Sequence, residues 1–530
     1  MAENQEPTRL SDYLTIAAKE NPERLALICG DLELTYSDYA DKVAEYSRGL
    51  LSLGLKPGDK IALMMDNIPE HPIAFLAAEK VGVTSVLVNN RLQAEEIEYI
   101  LGNSEPRMMI VGERFVAGEQ GANLRALLEA RFEPGTVLVV GEPPAGAAFR
   151  SAGIIEEEAR KISREQLEEK EKSLGDNPVT VIYTSGTTGQ PKGAVLTERN
   201  IVFNLTNWKK RLPADETRVG VVGVFFPLFH SGGMIGGICG CIIMQFTVVL
   251  ADFDIENSLR LIGEHGINIM GAVAAMAALQ LSHPRFDDFD YSSLEYLFMG
   301  AGPCPPEILR EINRRMGADV IIGYGLTEGT MGNLITTLQD DTEDHKLNTV
   351  GIPLPGVEVK LVDENRQEVP EGAVGEIAVK GPTVFAGYLN NPGATATVFD
   401  AEGRLYTGDL ATRDPEGYYS IVGRTTEMYI RGGENVYPRE IEDVLKEHPD
   451  IVLAAVLGIP DSMMGEAGRA YIIKMPGSEL TEEDVISYCA EHLADYKVPR
   501  DVVFRDMLPL TPIGKVLKKT LAEEIRQEFG

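Results

Sequence analysis

Two hydrophobic rhythms alternate along the first third of the chain. Apolar residues recur at helical spacing from Tyr39 through Tyr46, Leu50 and Leu51. Thr35-Tyr-Ser-Asp-Tyr39 opens that stretch, and Gly54-Leu-Lys-Pro-Gly58 closes it with helix-stop chemistry. Lys60 to Met65 is then an apolar run that predicts a buried strand. A helix over Ile73 to Val81, a strand over Thr84 to Val88 and a helix over Ala94 to Leu101 follow. Strands alternating with helices imply parallel sheets covered on both faces.

The same alternation resumes at Val219 to Phe226, Ile267 to Val273, Tyr296 to Met299 and Val320 to Ile322. Between the two stretches, Glu156 to Leu174 is densely charged and reads as a solvated helix or linker. From Thr349 to Ile421 the pattern changes to short alternating runs, such as Val357 to Val362 and Gly375 to Lys380, punctuated by glycine and proline. These predict a small antiparallel sheet or distorted barrel. The last hundred residues predict a compact α+β unit: an amphipathic helix at Ile441 to His448, strands at Ile451 to Leu457 and Ala470 to Lys474, and a helix opened by Thr481-Glu-Glu-Asp484, close to a capping box. Met234 to Ala251 is nearly all apolar. Three glycines within Gly236 to Gly240 and the β-branched run after Phe246 predict a small-residue helix and a buried strand rather than a membrane span, which takes about 20 apolar residues.

At 530 residues the chain exceeds one ordinary domain. Its formal charge is -32, with 81 acidic against 49 basic residues. That balance argues against nucleic acid or an anionic membrane as the main partner. Cys29, Cys239, Cys241, Cys304 and Cys489 are too few and too scattered for a disulfide framework, and are read as reduced. Met1 to Leu10 is polar, without an apolar signal core. The expectation is a cytoplasmic protein without a transmembrane segment, a monomer or homodimer.

Candidate chemistry centres on Tyr183-Thr-Ser-Gly-Thr-Thr-Gly-Gln-Pro-Lys-Gly193. Glycines let backbone N–H groups approach an anion, hydroxyls add donors, and the lysine supplies a point charge. The stretch fails the common mononucleotide pattern, since Pro191 stands where its second glycine belongs and Gly193 follows Lys192. Five further segments stand out: Phe225-Phe-Pro-Leu-Phe-His-Ser-Gly-Gly233, Gly300-Ala-Gly-Pro-Cys-Pro305, Gly323-Tyr-Gly-Leu-Thr-Glu328, Tyr406-Thr-Gly-Asp-Leu410 with Gly423-Arg424, and Leu510-Thr-Pro-Ile-Gly-Lys515. Taken singly, each is also explained by an ordinary turn or a structural polar residue. Gly323 to Glu328 follows a strand, and the carboxyl ends of parallel strands are where α/β proteins bind ligands.

Together and in this order, the six segments resemble the adenylate-forming superfamily of acyl-CoA synthetases, luciferases and peptide-synthetase adenylation domains, over about Asp12 to Glu523. The resemblance implies an α/β fold: a large N-terminal domain, residues 1–424, of two parallel αβ subdomains plus a distorted β-barrel, and a small mobile α+β C-terminal domain, residues 425–530. It implies Mg-ATP activation of a carboxylate to an acyl-adenylate with release of pyrophosphate, and then displacement of AMP by a thiol. On these motifs Thr184, Ser185, Gly186, Thr187, Thr188 and Lys192 would hold the β- and γ-phosphates. Gly302, Pro303 and Tyr324 would line the adenine site, with Tyr324 stacking on it, Gly323 would also bind ATP, Thr327 would contact the α-phosphate, and Glu328 would bind Mg²⁺. Asp409 would bind the ribose with Arg424 nearby, and Lys515 would bridge the carboxylate and α-phosphate.

His230 would stand where the acyl pocket meets the reaction centre, with Ser231, Gly232, Gly271, Val273, Ala301, Leu326 and Met331 as further walls. No charge appears within Gly271 to Met276, so an apolar medium-chain, alicyclic or aromatic acid is expected. Arg431 to Pro438 resembles the glycine loop of the pantetheine tunnel, with Gly432 and Gly433 at coenzyme A. The hinge departs from the family pattern: Thr425 and Thr426 follow Arg424, and Glu427 stands for the common aspartate. Coenzyme A is the expected acceptor. A carrier-protein phosphopantetheine is the main alternative, and a luciferase-like oxygenase or a non-catalytic nucleotide-binding protein are weaker ones.

Overall fold

The computed structural model describes residues 8–184, 190–211, 220–302, 304–432, 434–461, 463–510 and 516–529. Two compact units emerge: Met1–Lys346 with Pro353–Glu358 and Lys380–Leu405, and Leu347–Ile352 with Val359–Val379 and Tyr406–Gly530.

The first unit is built on two mostly parallel sheets. One runs in space Arg150–Ser151, Val137–Val140, Met108–Gly112, Lys60–Met64, Thr84–Leu87, Pro178–Thr184, Lys192–Thr197, and only its last pair is antiparallel. The other contains Ile335–Thr336, Asp319–Tyr324, Tyr296–Gly300, Ile269–Ala272, Val221–Val224, Thr247–Leu250, Leu25–Cys29 and Leu32–Thr35, and the pairs Asp319–Tyr324/Ile335–Thr336 and Leu25–Cys29/Leu32–Thr35 are antiparallel. Burial follows the apolar runs: Ile61, Ala62 and Leu63 are fully buried, as is most of the helix Glu70–Lys80. The start signal at Thr35 forms a capping box. Its hydroxyl accepts from the Asp38 N–H, and Asp38 accepts from the Thr35 N–H at 3.1 Å.

The apolar stretch after His230 folds as a small-residue helix and a strand, with one difference. Gly232–Cys239 is wound as a π-helix before the α-helix Gly240–Met244 and the strand Thr247–Leu250. Glycine allows the close packing there: a Cβ on Gly236 would lie 2.6 Å from Met331 Sδ, and one on Gly237 would lie 2.8 Å from Val224. No described helix is long and apolar enough to cross a membrane. Cys239, Cys241 and Cys489 are buried, Cys29 and Cys304 half-buried, and none of the five is in a disulfide. The charged segment before the glycine-rich loop forms two short helices, Ile154–Ala159 and Arg164–Glu171.

The second unit contains, but for the end residues Glu358, Lys380 and Leu405, the strands Glu358–Val362, Gly375–Lys380, Leu405–Arg413 and Tyr419–Arg424, adjacent in that order. A second sheet follows. Its long hairpin Ile451–Asp461/Gly465–Lys474 extends past the strands read from sequence, because pairing carries through Gly458, Ile459 and Pro460 to Asp461↔Gly465. The Thr481 box also forms with aspartate as reciprocal acceptor, 3.0 Å from the Thr481 N–H.

Glycines set how closely the second sheet of the first unit packs near its strand ends. A Cβ on Gly323 would lie 2.4 Å from the Gly332 carbonyl oxygen, and one on Gly300 would lie 2.5 Å from that of Gly323. Gly323→Ala is therefore expected to lower stability by about 1–3 kcal/mol. Gly102→Ala, on the helix Ala94–Ser104 with open space around it, should be neutral or stabilising by up to about 1 kcal/mol. Thermal denaturation of the two variants checks both.

Candidate active site

Four neighbouring parallel strands of the first unit deliver the predicted segments to one end of their sheet. Val221–Val224, Ile269–Ala272, Tyr296–Gly300 and Asp319–Tyr324 pair in sequence, with Ala272↔Met299, Met299↔Ile322 and Gly300↔Gly323 in register. Their carboxyl ends lead into Phe225 to Gly233, Val273, Ala301 and Gly302, and Gly325 to Met331. The predicted adenine and acyl positions thus converge at the end of the sheet where α/β proteins bind ligands.

Within this set, His230 packs its ring against Phe229, centroids 4.7 Å apart, and Ser231 and Gly232 open the π-helix. Gly271 lies under Phe226, 2.7 Å from its would-be Cβ. Val273 and Met331 are buried, while Leu326, Tyr324 and Thr327 are half-buried. Ala301 and Gly302 are exposed, and Ala301 takes φ +62°, a left-handed conformation unusual for alanine, at the turn after its strand. Pro303 lies outside the described residues.

The glycine-rich stretch lies between two antiparallel strands. Pro178–Thr184 and Lys192–Thr197 pair in register, Tyr183↔Gly193 and Thr184↔Lys192. Ser185, Gly186, Thr187 and Thr188 lie outside the described residues. The common mononucleotide pattern leads from a strand into a helix, so its mismatch here has a structural counterpart.

Beside this hairpin lies a compact polar cluster. The buried Glu328 carboxylate accepts on Oε1 from the Tyr388 hydroxyl at 2.8 Å and from Thr184 Oγ1 at 3.4 Å. The Lys192 ammonium lies 5.3 Å from the centroid of the Tyr388 ring. Burial, and then the adjacent Glu328 carboxylate, push the Tyr388 phenol well above its ordinary range, so it stays protonated and donates.

The backbone that carries Glu328 is tied from below. Thr330 has φ +80°, and its hydroxyl donates to the Thr383 carbonyl at 2.6 Å. Thr383 Oγ1 donates to the Gly329 carbonyl at 2.7 Å and accepts from Asn204 Nδ2 at 2.8 Å, and the Phe385 N–H donates to the Glu328 carbonyl. Among the described residues no group of three His, Cys, Asp or Glu could cage a metal ion. A lone carboxylate among hydroxyls suits Mg²⁺, which keeps waters and takes substrate phosphates as ligands.

In the second unit, Asp409 and Arg424 face each other across two antiparallel strands, Arg424 Nε donating to Asp409 Oδ1 at 2.8 Å. Asp409 is buried and Arg424 exposed, so the carboxylate is oriented by a cation that stays accessible. Behind them Glu376 accepts from the Gly408 N–H, and burial raises its carboxyl above the usual range. Glu427, read from sequence beside the hinge, bonds Lys518 at 2.6 Å, and Lys518 also pairs with Glu442 at 2.8 Å. Gly432 has φ +61° and donates its N–H to the Met464 carbonyl. Gly433 and Lys515 lie outside the described residues.

Residues 14–389 match the family described as AMP-binding enzyme, and residues 440–515 match the AMP-binding enzyme C-terminal domain. The chain belongs to the AMP-binding enzyme family. Within this adenylate-forming superfamily it lies in the acyl-CoA synthetase branch. It is 33% identical over 530 residues to a methyl-dioxo-octahydroindenyl-propanoyl:CoA ligase of Rhodococcus jostii (strain RHA1), covering 98% of this chain and 99% of that one. The anthranilate CoA ligase solved with anthranoyl-AMP superposes with TM-score 0.86 at 25% identity, over 98% of each chain. The o-succinylbenzoate CoA synthetase of Bacillus subtilis, solved with ATP and magnesium ion, gives TM-score 0.81 at 28% identity, over 96% of this chain and 99% of that one.

Sequence reading of this AMP-binding enzyme passed over Tyr388, Thr383 and Lys518. A lone tyrosine in a turn-rich stretch and one of two adjacent lysines carry no spacing signal, and only the fold brings them to charged partners. Lys518, 18% exposed at its side chain, is held between two carboxylates, Glu427 and Glu442. Lys518→Met should cost about 3–5 kcal/mol. The loss, followed by urea denaturation, should shrink as pH falls toward the carboxylate range, where protonation relieves the two stranded acids.

Proposed function

We propose that this chain activates an apolar carboxylic acid with Mg-ATP and transfers the acyl group from the adenylate to the thiol of coenzyme A. The observation that carries the residue assignments is the cluster of Glu328, Thr184, Tyr388 and Lys192 in the same unit as the four converging strand ends. One end of such a site offers a cation and a hydroxyl-held carboxylate, which suits a metal-bound polyphosphate. The other offers Gly271, Val273, Ala301, Leu326 and Met331, with no charge among them, which suits an apolar acyl group. The relatives' alicyclic and aromatic acids fit such walls, and a medium-chain tail would too.

A carboxylate attacking a phosphate must overcome like-charge repulsion. In the proposed roles, Lys192 and Thr184 grip the β- and γ-phosphates, which leave as pyrophosphate. Mg²⁺ would be held through Glu328 and would neutralise phosphate charge. Thr327 contacts the α-phosphate, Tyr324 stacks on the adenine with Gly302 and Gly323 beside it, and Asp409 takes the ribose hydroxyls with Arg424 next to it. Lys515 bridges the attacking carboxylate and the α-phosphate, where charge develops. No side-chain nucleophile is required, since the substrate carboxylate attacks directly and holding both reactants together removes much of the entropic barrier.

For the second half-reaction the part of the chain after Arg424 rotates, withdrawing Lys515 and bringing Gly432 and Gly433 to the thiol. Residues 1–424 and 425–530 are the proposed moving bodies.

Lys515→Ala should lower acid-dependent ATP–pyrophosphate exchange about 100- to 1000-fold while leaving ATP binding nearly intact. Unchanged exchange would remove Lys515 from the reaction. A screen of carboxylic acids for AMP release, with coenzyme A and a phosphopantetheinyl carrier offered in parallel, tests the whole reading. Apolar acids should give thioester on coenzyme A, and thioester formed on the carrier alone would overturn the acceptor.

A further inference from the structure

Lys192 and Glu328 carry opposite charges within one cluster, yet no ion pair joins them. Each meets Tyr388 instead: the phenol hydroxyl donates to Glu328 Oε1 at 2.8 Å, and the ammonium of Lys192 lies over the ring at 5.3 Å. We propose that Tyr388 is a positioning residue that keeps the phosphate-gripping lysine and the metal-binding carboxylate apart and unpaired, ready for Mg-ATP. The inference rests on the roles proposed above for Lys192 and Glu328 and adds a third residue to them.

The physical reason is self-neutralisation. A direct Lys192–Glu328 bridge would occupy both the cation meant for phosphate and the anion meant for the metal. Each binding event would first have to break it, and a partly buried bridge is harder to break than one in water. A tyrosine satisfies the carboxylate through a strong O–H donor and the ammonium through its π face, and cancels neither charge. Its hydroxyl also fixes the carboxylate's rotation together with Thr184, as outer-shell partners do for metal ligands.

The backbone holds Tyr388 in place for this. The segment that carries it runs beside the strand Lys192–Thr197. Ala386 N–H donates to the Val195 carbonyl, Val195 N–H to Gly387, and Leu389 N–H to Gly193, with Ala194 and Tyr388 forming an antiparallel bridge. The strand that starts at Lys192 thus sets the position of the ring that receives its ammonium. The Phe385 N–H, three residues before Tyr388, is bonded to the Glu328 carbonyl. Both charged partners are therefore indexed to one short stretch of chain.

The test is equilibrium binding of ATP by calorimetry without acid or coenzyme A, across a magnesium series and in EDTA. Tyr388→Phe keeps the ring and removes the hydroxyl. It should raise the half-saturating magnesium concentration about tenfold, with metal-free ATP affinity unchanged. Tyr388→Leu removes the ring too, and should additionally weaken metal-free ATP and pyrophosphate binding about fivefold as Lys192 turns to Glu328. Adding Glu328→Gln to Tyr388→Leu should restore that metal-free affinity, which a merely structural role for the tyrosine would not allow. A wild-type magnesium profile in Tyr388→Phe, when Glu328→Gln alone shifts that profile, would overturn the inference and leave the site reading standing. Failure of the double variant to recover affinity would overturn it as well. A Glu328→Gln protein with unchanged magnesium dependence would overturn the metal assignment, and the role of Tyr388 with it.

Discussion

A site for a triphosphate and an acid has to concentrate positive charge without spending it. That constraint is severe in a chain of net charge -32, where the overall field repels every substrate the site is proposed to take. The proposed separation of Lys192 from Glu328 by Tyr388 would answer it locally. Three residues from three segments, the hairpin strand, the turn after Tyr324 and the stretch after Phe385, are brought to hydrogen-bond and ring-contact distance. Everything around them works to keep that spacing. Thr383 and Asn204 pin the Glu328 turn from below, and the left-handed Thr330 closes it.

The strand ends supply the other half of the arrangement. Parallel strands in register bring the chain out of the sheet at one level, so Gly300 and Gly323 face each other and the segments after them start side by side. Closeness there depends on absent side chains: a Cβ on Gly323 or Gly325 would meet the backbone of Met331 or Gly332 within 2.5 Å. Glycines of the candidate ligand-binding segments thus act as packing residues.

Most of this architecture was legible from period and punctuation. The 3.6-residue and continuous apolar runs of the first third mark elements found within a few residues of their read limits, and both threonine start signals form capping boxes. The six candidate segments stood out in the sequence because glycine, hydroxyl and charge crowd into short windows. Long-range partnership was not. Tyr388 lies 60 residues from Glu328 and Lys518 lies 91 from Glu427, and neither pair leaves a local pattern. The π-winding of Gly232–Cys239 was hidden for a related reason, since it accompanies packing against Met331, far along the chain. The antiparallel pairing of the strands flanking the glycine-rich stretch could be sensed only as a failed match.

The strand Lys192–Thr197 lies at the end of its sheet, and such an outer strand offers unpaired N–H and C=O groups to any passing chain. Here the stretch Ala386–Leu389 covers it through backbone bonds to Gly193 and Val195. The turn that brings Tyr388 to the charged cluster is therefore also the lid on an adhesive border. A change that displaces Ala386–Leu389 would therefore disturb the Glu328 cluster and uncover the strand edge together.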